Sequence, residues 1–377
     1  MDFEFSDEQE QLRDAVRRWV DKGFGFERRH ALAKAGGFTR EVLGELNGLG
    51  LAGLVVPEAH GGMGFGAVEA MVVMEELGRG LVNAPYAQAA LVAPALLSHA
   101  TAELQQAWLP KIAAGEVLLV LAQQERHSRY RLDQVSVRAS ESGAIWTLSG
   151  TKIVVPAGDE ADAFVVSARV SGNEGDADGV ALFLVDKAAA GLKLQGHATQ
   201  DGARAATLVL ADTPATLLTR QGHDALDHAA GVAIAALCAE GVGLMDRLLA
   251  ITVDYMHQRK QFGVAIASFQ ALRHRIADVK MQLELARSMS YFATLKLGEA
   301  PEQRRRALAR AKVQLGNSMR FVGQQCTQLH GGIGVTDEYV SSHYFKRLTV
   351  IELSFGDTLH HLSEVSATLG DDAGVFA

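Results

Sequence analysis

A chain of 377 residues is long enough for two or three domains, and its 36 Lys and Arg against 44 Asp and Glu give a net charge of −8. This acidic balance argues against a nucleic-acid partner, because no global field attracts a phosphate backbone. The longest unbroken apolar run, 229–239, is well short of the roughly 18 residues that indicate a membrane span. Both cysteines, Cys238 and Cys326, lie in apolar helical patterns typical of reduced thiols. The N-terminus carries acids where a secretory signal has basic residues, so we expect a cytoplasmic protein without a membrane partner.

The first third of the chain predicts an all-helical domain over residues 1–118. Ser6, followed three positions later by Gln9, is a capping-box pattern, and apolar residues then recur at helical spacing. A glycine-rich loop at 57–66 interrupts the helices, and further helical runs follow it.

From residue 119 the hydrophobic period changes and predicts a β domain over 119–222. Its short segments are rich in β-branched residues and separated by glycine-containing turns. The predicted strands are VSVRAS (135–140), AIWTLSG (144–150), TKIVV (151–155), DAFVVSARV (162–170), GVALFLVD (179–186) and AATLVLAD (205–212).

The helical period returns in the last third and predicts a helical bundle over 223–377. Pro301 is placed to open a long helix. Its apolar stripe is Leu308, Ala311, Leu315, Met319, Val322, Cys326 and Leu329. The predicted class is α+β: an N-terminal helical domain, a middle β-barrel or sandwich and a C-terminal four-helix bundle.

Three motifs identify a family. RKQFG at 259–263 precedes SFQ at 268–270, QLHGGIG occupies 328–334, and EY at 338–339 precedes the corner formed by FGDT at 355–358. With these motifs in this order, the chain resembles the acyl-CoA dehydrogenases, flavoproteins that desaturate acyl-CoA thioesters, over essentially its whole length. The stretches YFKRLT, LCAEGVG and FGDTLHHL resemble the small subunit of pimeloyl-CoA dehydrogenases.

The resemblance implies FAD as cofactor and an acyl-CoA substrate, with medium-chain or dicarboxylic acyl groups as the first candidates. It also implies an electron-transfer flavoprotein as electron acceptor. The implied assembly is a homo- or heterotetramer with a sister acyl-CoA dehydrogenase subunit.

The chemistry of the motifs suits a dinucleotide. An arginine offers a fork of donors that matches a pyrophosphate, glutamines can bond flavin or sugar edges, and glycines leave backbone amides open. In the family the RKQFG group reaches the cofactor of the neighbouring subunit. The implied FAD-binding residues are Arg259, Gln261, Phe262, Phe269, Gln270, Gln328, Gly331, Gly332 and Thr358, with Gln124 from the β domain.

Two segments of the β domain depart from the family pattern. The family's Thr-Glu-Pro becomes QER at 124–126, and its Trp-Ile-Thr becomes VVP at 154–156. Pro156 has no amide donor, so a backbone hydrogen bond to the flavin ring is lost there. We therefore expect this chain's own flavin site to be weakened, as in a heteromer whose sister subunit supplies the better flavin walls.

The catalytic base is the largest departure. Desaturation needs a base for the Cα proton, and the family's usual glutamate aligns with Gly356, while a second known position aligns with Ala233. Glu240 lies two turns further along the same helix, alone between apolar runs, and becomes the leading candidate because burial tunes an isolated carboxyl toward a general base. The alternative is that Glu240 pairs with a basic residue across the bundle. Asp357, one residue late and one methylene short, is the remaining candidate base.

Two functions remain open. The chain is either an FAD-dependent acyl-CoA dehydrogenase subunit that performs α,β-desaturation, or a non-catalytic partner that completes the FAD site of its sister. No metal is predicted: His360 and His361 are adjacent, so they diverge by about 100° on a helix, and we expect no ligand at i,i+4 spacing to accompany them.

Overall fold

The computed structural model describes residues 5–37, 40–143 and 145–373. The chain divides into two compact units. One comprises Met1–His30, Ala67–Val82 and Ile234–Ala377, and the other comprises Ala31–Gly66 and Asn83–Ala233. The helices predicted as an N-terminal domain are therefore divided between the two units.

The N-terminal part is helical, as predicted. Ser6 and Gln9 form the expected capping box: the Ser6 hydroxyl accepts from the Gln9 amide, and the Gln9 side chain accepts from the Ser6 amide. A π-helix covers Ala87–Val92. The α-helices are α1 (Asp7–Gly23), α2 (Phe26–Lys34), α3 (Arg40–Gly48), α4 (Ala67–Arg79), α5 (Ala93–Leu97) and α6 (Ala102–Ala113).

Seven strands form a sheet that closes on itself. They are β1 (Leu119–Ala122), β2 (Arg138–Ser142), β3 (Ile145–Pro156), β4 (Ala163–Arg169), β5 (Val180–Asp186), β6 (Leu192–Ala198) and β7 (Arg204–Thr219). The strand order is β1-β4-β2-β3-β7-β5, and β5 also pairs with β4, which closes a barrel; β6 flanks β7. The segments predicted as separate strands at 144–150 and 151–155 form the single strand β3, with a register shift between Leu148 and Gly150. Strands β1 and β6 were not predicted.

The C-terminal part is a helical bundle, as predicted, with a fifth helix in addition. Its elements are α7 (Gly222–Gln258), β8 (Lys260–Gln261), β9 (Val264–Ala265), α8 (Gln270–Leu295), α9 (Pro301–His330), α10 (Val340–Leu353) and α11 (Thr358–Ala373). The apolar stripe predicted for α9 is buried, and its residues from Leu308 to Cys326 pack with apolar residues of α7, α8 and α10 in one core.

Helix α7 is the one described helix that is long and apolar enough to cross a membrane by length and composition. Its most apolar 18-residue window is 89% buried inside the protein, which is the pattern of a core helix. Cys238 and Cys326 are buried free thiols, as predicted.

Candidate functional site

Residues 259–270, called the arm here, connect α7 to α8 and project an aromatic side chain. β8 pairs with β9 in a two-stranded hairpin, and Phe262 at its turn has φ +54° and is 90% exposed. The Phe269 ring meets Phe262 edge-on, with centroids 6.1 Å apart. Because an exposed aromatic gains no burial within its own chain, the arm is suited to contact another molecule.

The arm also presents polar donors. Arg259, Gln261 and Gln270 are exposed, and within the part of the chain that the structure describes their side chains form no hydrogen bond or ion pair. The Arg259 backbone is fixed, since its amide donates to Tyr255 at 2.8 Å and its carbonyl accepts from Ile266 at 2.8 Å. A guanidinium with open donors, carried on a fixed backbone, fits a pyrophosphate.

The glycine-rich C-terminal end of α9 also leaves space for another molecule next to its backbone. The helix ends at His330, and Gly331 follows with φ +66°. A Cβ atom at Gly331 or Gly332 would meet nothing within 4 Å, and Gln328 is exposed. The donors on the arm and at this helix end therefore fit a dinucleotide such as FAD.

Thr358, in contrast, uses both of its hydrogen-bond donors within the chain. It is buried, its amide donates to Glu352 Oε1 at 3.0 Å, and its hydroxyl donates to the same oxygen at 2.6 Å. Arg320 also donates to that oxygen. The structure does not support the predicted pyrophosphate contact, because a carboxylate already takes both donors of Thr358.

Lys312 fixes the corner at 355–358. Its buried ammonium, 1% exposed, donates to the carbonyls of Ile351, Glu352 and Ser354 at 3.0, 3.2 and 2.8 Å, which terminates α10. Burial lowers the pKa of Lys312 to about 8. This lysine was not singled out in the sequence.

Gly356 leaves no room for a catalytic carboxylate. It has φ +108°, and the preceding Phe355 has φ +53°, so two consecutive residues adopt left-handed conformations. A Cβ atom at Gly356 would collide with Nε2 of His361 and Cδ2 of His360. The buried imidazole of His361 fills this space, and its Nε2 donates to the Phe355 carbonyl at 3.0 Å.

Asp357 caps a helix. Its Oδ1 accepts from the His360 amide at 2.8 Å, which is the side-chain bond of an N-cap residue at the start of α11. This contact gives Asp357 a structural role and leaves its prediction as a base without support.

The prediction that Glu240 is an isolated carboxyl is wrong. Glu240 is 4% exposed, and both its oxygens are taken by Arg347: Nε lies 2.6 Å from Oε1, and Nη2 lies 2.8 Å from Oε2. A Cβ atom at Gly78 of α4 would collide with the Glu240 carbonyl, which shows how closely α4 approaches α7. The alternative interpretation, a carboxylate paired across the bundle, is confirmed. A bidentate guanidinium neutralises the carboxylate, so the reason for choosing it as a base no longer holds.

In the β domain, Gln124 is turned to its own chain. Its side-chain amide donates to the backbone carbonyl of Arg129 at 2.6 Å. The backbone carbonyl of Gln124 accepts from the Ile153 amide at 2.8 Å. Pro156 ends β3, as the sequence indicated, and offers no amide.

Glu125, the neighbour of Gln124, also has a structural partner. It binds the fully buried Lys152 at 2.6 Å, and this charge, together with Ser136, outweighs burial and holds the pKa of Glu125 below its usual range. The donors expected to face a flavin ring are thus missing or used internally in this barrel.

Sequence reasoning therefore located the arm and the glycine-rich helix end but missed Arg347, Lys312 and Glu352, and it considered His361 only as a metal ligand. A signal for Arg347 was present: Glu240 on α7 and Arg347 on α10 each interrupt an apolar helical run. Two opposite charges that each interrupt a buried helix face are candidates for a pair.

The chain matches the three domain models of the acyl-CoA dehydrogenases: the N-terminal domain over residues 6–116, the middle domain over 121–212 and the C-terminal domain over 221–369.

Individual relatives match along nearly the full length. A curated relative, acryloyl-CoA reductase (NADH) of Anaerotignum propionicum, is 26% identical over 96% of this chain and 94% of its own. Among solved structures, the Tcur3481–Tcur3483 steroid ACAD is 31% identical with a TM-score of 0.88, covering 98% of this chain and 99% of its own. The ChsE4–ChsE5 complex of Mycobacterium tuberculosis is 26% identical with a TM-score of 0.88 and the same coverage.

Proposed function

Because this chain belongs to the acyl-CoA dehydrogenase family, we propose that it is the subunit of a heteromeric acyl-CoA dehydrogenase that completes the flavin site of a sister chain. Members of this family are FAD flavoproteins that oxidise a CH–CH bond of an acyl-CoA. In the proposed heteromer the sister chain supplies the carboxylate base.

The observation that carries the proposal is the corner at Gly356. The family's base position holds a glycine, and His361 occupies the space into which any side chain there would extend. Glu240 is paired with Arg347, and Asp357 caps α11. Of the four positions considered for a base, Gly356 and Ala233 carry no carboxylate, and the carboxylates of Glu240 and Asp357 are engaged within the chain.

The arm supports the other half of the proposal. Arg259, Gln261 and Gln270 would bond the pyrophosphate and the flavin or sugar edges, with Phe262 and Phe269 covering apolar surface. Gln328 and the amides of Gly331 and Gly332 would hold the adenosine half. This chain's own barrel offers few hydrogen-bond donors for a flavin ring. The donors of the arm and of the α9 end are therefore better suited to an FAD held by a neighbouring subunit.

In the reaction, the base removes the Cα proton that the thioester acidifies, hydride leaves Cβ, and a double bond forms between the two carbons. When bound, FAD supplies the hydride acceptor. The residues of this chain would orient that group: the Arg259 guanidinium would neutralise pyrophosphate charge, and the arm would exclude water where it meets the sister chain. An electron-transfer flavoprotein then takes up the electrons.

The names of two similar structures pair two proteins, Tcur3481 with Tcur3483 and ChsE4 with ChsE5. A heterotetramer with a sister acyl-CoA dehydrogenase is the assembly we propose here. The acyl group remains part of the proposal, with medium-chain and dicarboxylic chains as the first candidates, and steroid side chains belong in the same test because of the steroid ACAD relative.

Purification alone and with a co-expressed sister chain tests the proposal. We expect the isolated chain to be colourless or weakly yellow and inert to acyl-CoA. The complex should be yellow and should bleach anaerobically with one member of an acyl-CoA panel. Stoichiometric FAD in the isolated chain, with full bleaching by acyl-CoA, would contradict the proposed role.

A further inference from the structure

The start of α11 carries three metal-ligating side chains on adjoining faces. They are His360, His361 and Glu364, and their ligand atoms all lie within 4.8 Å of one another. Glu364 is four residues after His360 and three after His361, so its carboxylate lies between the two rings. The expectation that no ligand at i,i+4 spacing accompanies His360 is therefore wrong.

The hydrogen bonds of His361 orient one nitrogen for metal binding. Its Nε2 lies 3.0 Å from the Phe355 carbonyl, which can only accept, so Nε2 carries the hydrogen. Its Nδ1 lies 2.8 Å from Glu364 Oε2. Nδ1 therefore faces the carboxylate of Glu364 and is the ring nitrogen through which His361 would bind an ion. A histidine that binds a metal through one ring nitrogen usually donates a hydrogen bond from the other nitrogen to a carbonyl or carboxylate.

His360 reaches the same carboxylate from the other side. Its Nε2 lies 3.6 Å from Glu364 Oε1, too far for a hydrogen bond. Zinc binds imidazole nitrogen and carboxylate oxygen at about 2.0–2.2 Å. The side chains of His360 and Glu364 are 25% and 47% exposed, so small rotations can bring their donor atoms to one ion.

We propose that His360, His361 and Glu364 bind a divalent transition-metal ion of the zinc class, with water or a partner group completing the coordination. The ion would hold the first turn of α11 against the Phe355 carbonyl through His361. The proposal rests on these three side chains beside the corner at Gly356 and does not depend on the proposed function. Charges of both signs lie near the cluster: the negative charge of Asp357 and the positive charges of Lys312 and Arg305.

Calorimetric titration of the chelator-treated full chain with Zn²⁺ tests the proposal. We expect one equivalent per chain, and we expect Glu364→Gln and His360→Gln each to weaken binding by about tenfold or more. His197→Gln, which changes an exposed histidine on β6, serves as the matched control and should bind as the wild type does.

Substitution with Co²⁺ gives an independent readout. The wild type and the His197→Gln protein should show the visible absorption of a low-symmetry nitrogen and oxygen site, and the two ligand variants should lose it. Circular dichroism verifies that each variant is folded. The proposal is overturned if the wild type takes up no zinc, or if both ligand variants bind zinc as tightly as the wild type.

Discussion

Glu240 and Arg347 form a buried bidentate ion pair between α7 and α10, with N–O distances of 2.6 and 2.8 Å. Removing one partner leaves an uncompensated charge in the core, so Glu240→Gln should lower the free energy of unfolding by about 3–5 kcal/mol. Replacing both partners with Met should restore most of that loss. Urea unfolding of the single and double variants measures it.

The exposed pair of Lys296 and Glu299 is the control for this cycle, because both side chains are about 40% exposed. Glu299→Gln should change stability by no more than about 0.5 kcal/mol. If Glu240→Gln were as mild as the control, the ion pair would not have the structural role assigned to it.

Substitution of Gly356 by any residue with a side chain should destabilise the fold. The φ of +108° at Gly356 and the collision with His361 predict that Gly356→Ala lowers the free energy of unfolding by more than about 1 kcal/mol. Gly356→Glu should therefore fail to introduce a working base. Gly44 in α3 is the matched control: a Cβ atom there meets nothing within 4 Å, and alanine should stabilise the helix by about 0.5–1 kcal/mol. A stable Gly356→Glu protein that gains flavin reduction would refute this account of the corner.

Arg259 should govern cofactor retention in the assembled enzyme. Loss of one charge-assisted hydrogen bond, about 1.5–3 kcal/mol, predicts that Arg259→Met weakens FAD binding to the complex by about tenfold or more. Lys260→Met, at the exposed neighbouring position, should retain the cofactor. Flavin absorbance after gel filtration measures both, and equal retention would argue against the arm as a cofactor contact.

Lys312 should make stability rise with pH. Burial lowers its pKa to about 8 in the folded chain from the ordinary 10.5, so between these values the unfolded chain holds more protons and the free energy of unfolding increases. Lys312→Met should lose this part of the slope between about pH 8 and pH 10, as measured by urea unfolding. Lys193→Met, at an exposed site on β6, should keep the wild-type slope. An unchanged slope in Lys312→Met would contradict the assignment.

The elements whose apolar residues recur at a regular spacing were predictable from the sequence. Pro301 and the α9 stripe identify that helix because its buried residues recur every three or four positions. Strand β3 was divided in two at Gly150, since a glycine inside a strand looks like a turn when the partner strand is unknown. Strand β6, a short and mostly exposed strand, carries little apolar signal.

The site was predictable only where short motifs define it. The arm and the glycine-rich end of α9 are contiguous in sequence, so their residues were found. The partner of Glu240 lies 107 residues away, so charges that interrupt apolar helical runs suggest a pair across the bundle but do not identify its members. The crowding at Gly356 likewise depends on the fold of the following helix, which brings His361 back to the corner.

Exchange of the Cα proton of an acyl-CoA with deuterium oxide tests the central claim, that this chain lacks its own base, most directly. The exchange requires the base but no hydride transfer, so it can be followed by NMR under anaerobic conditions for the chain alone with added FAD and for its complex. We predict no enzyme-dependent exchange with the chain alone, and rapid exchange with the complex that is lost when the sister's glutamate is changed to glutamine. Exchange catalysed by the isolated chain would contradict the account.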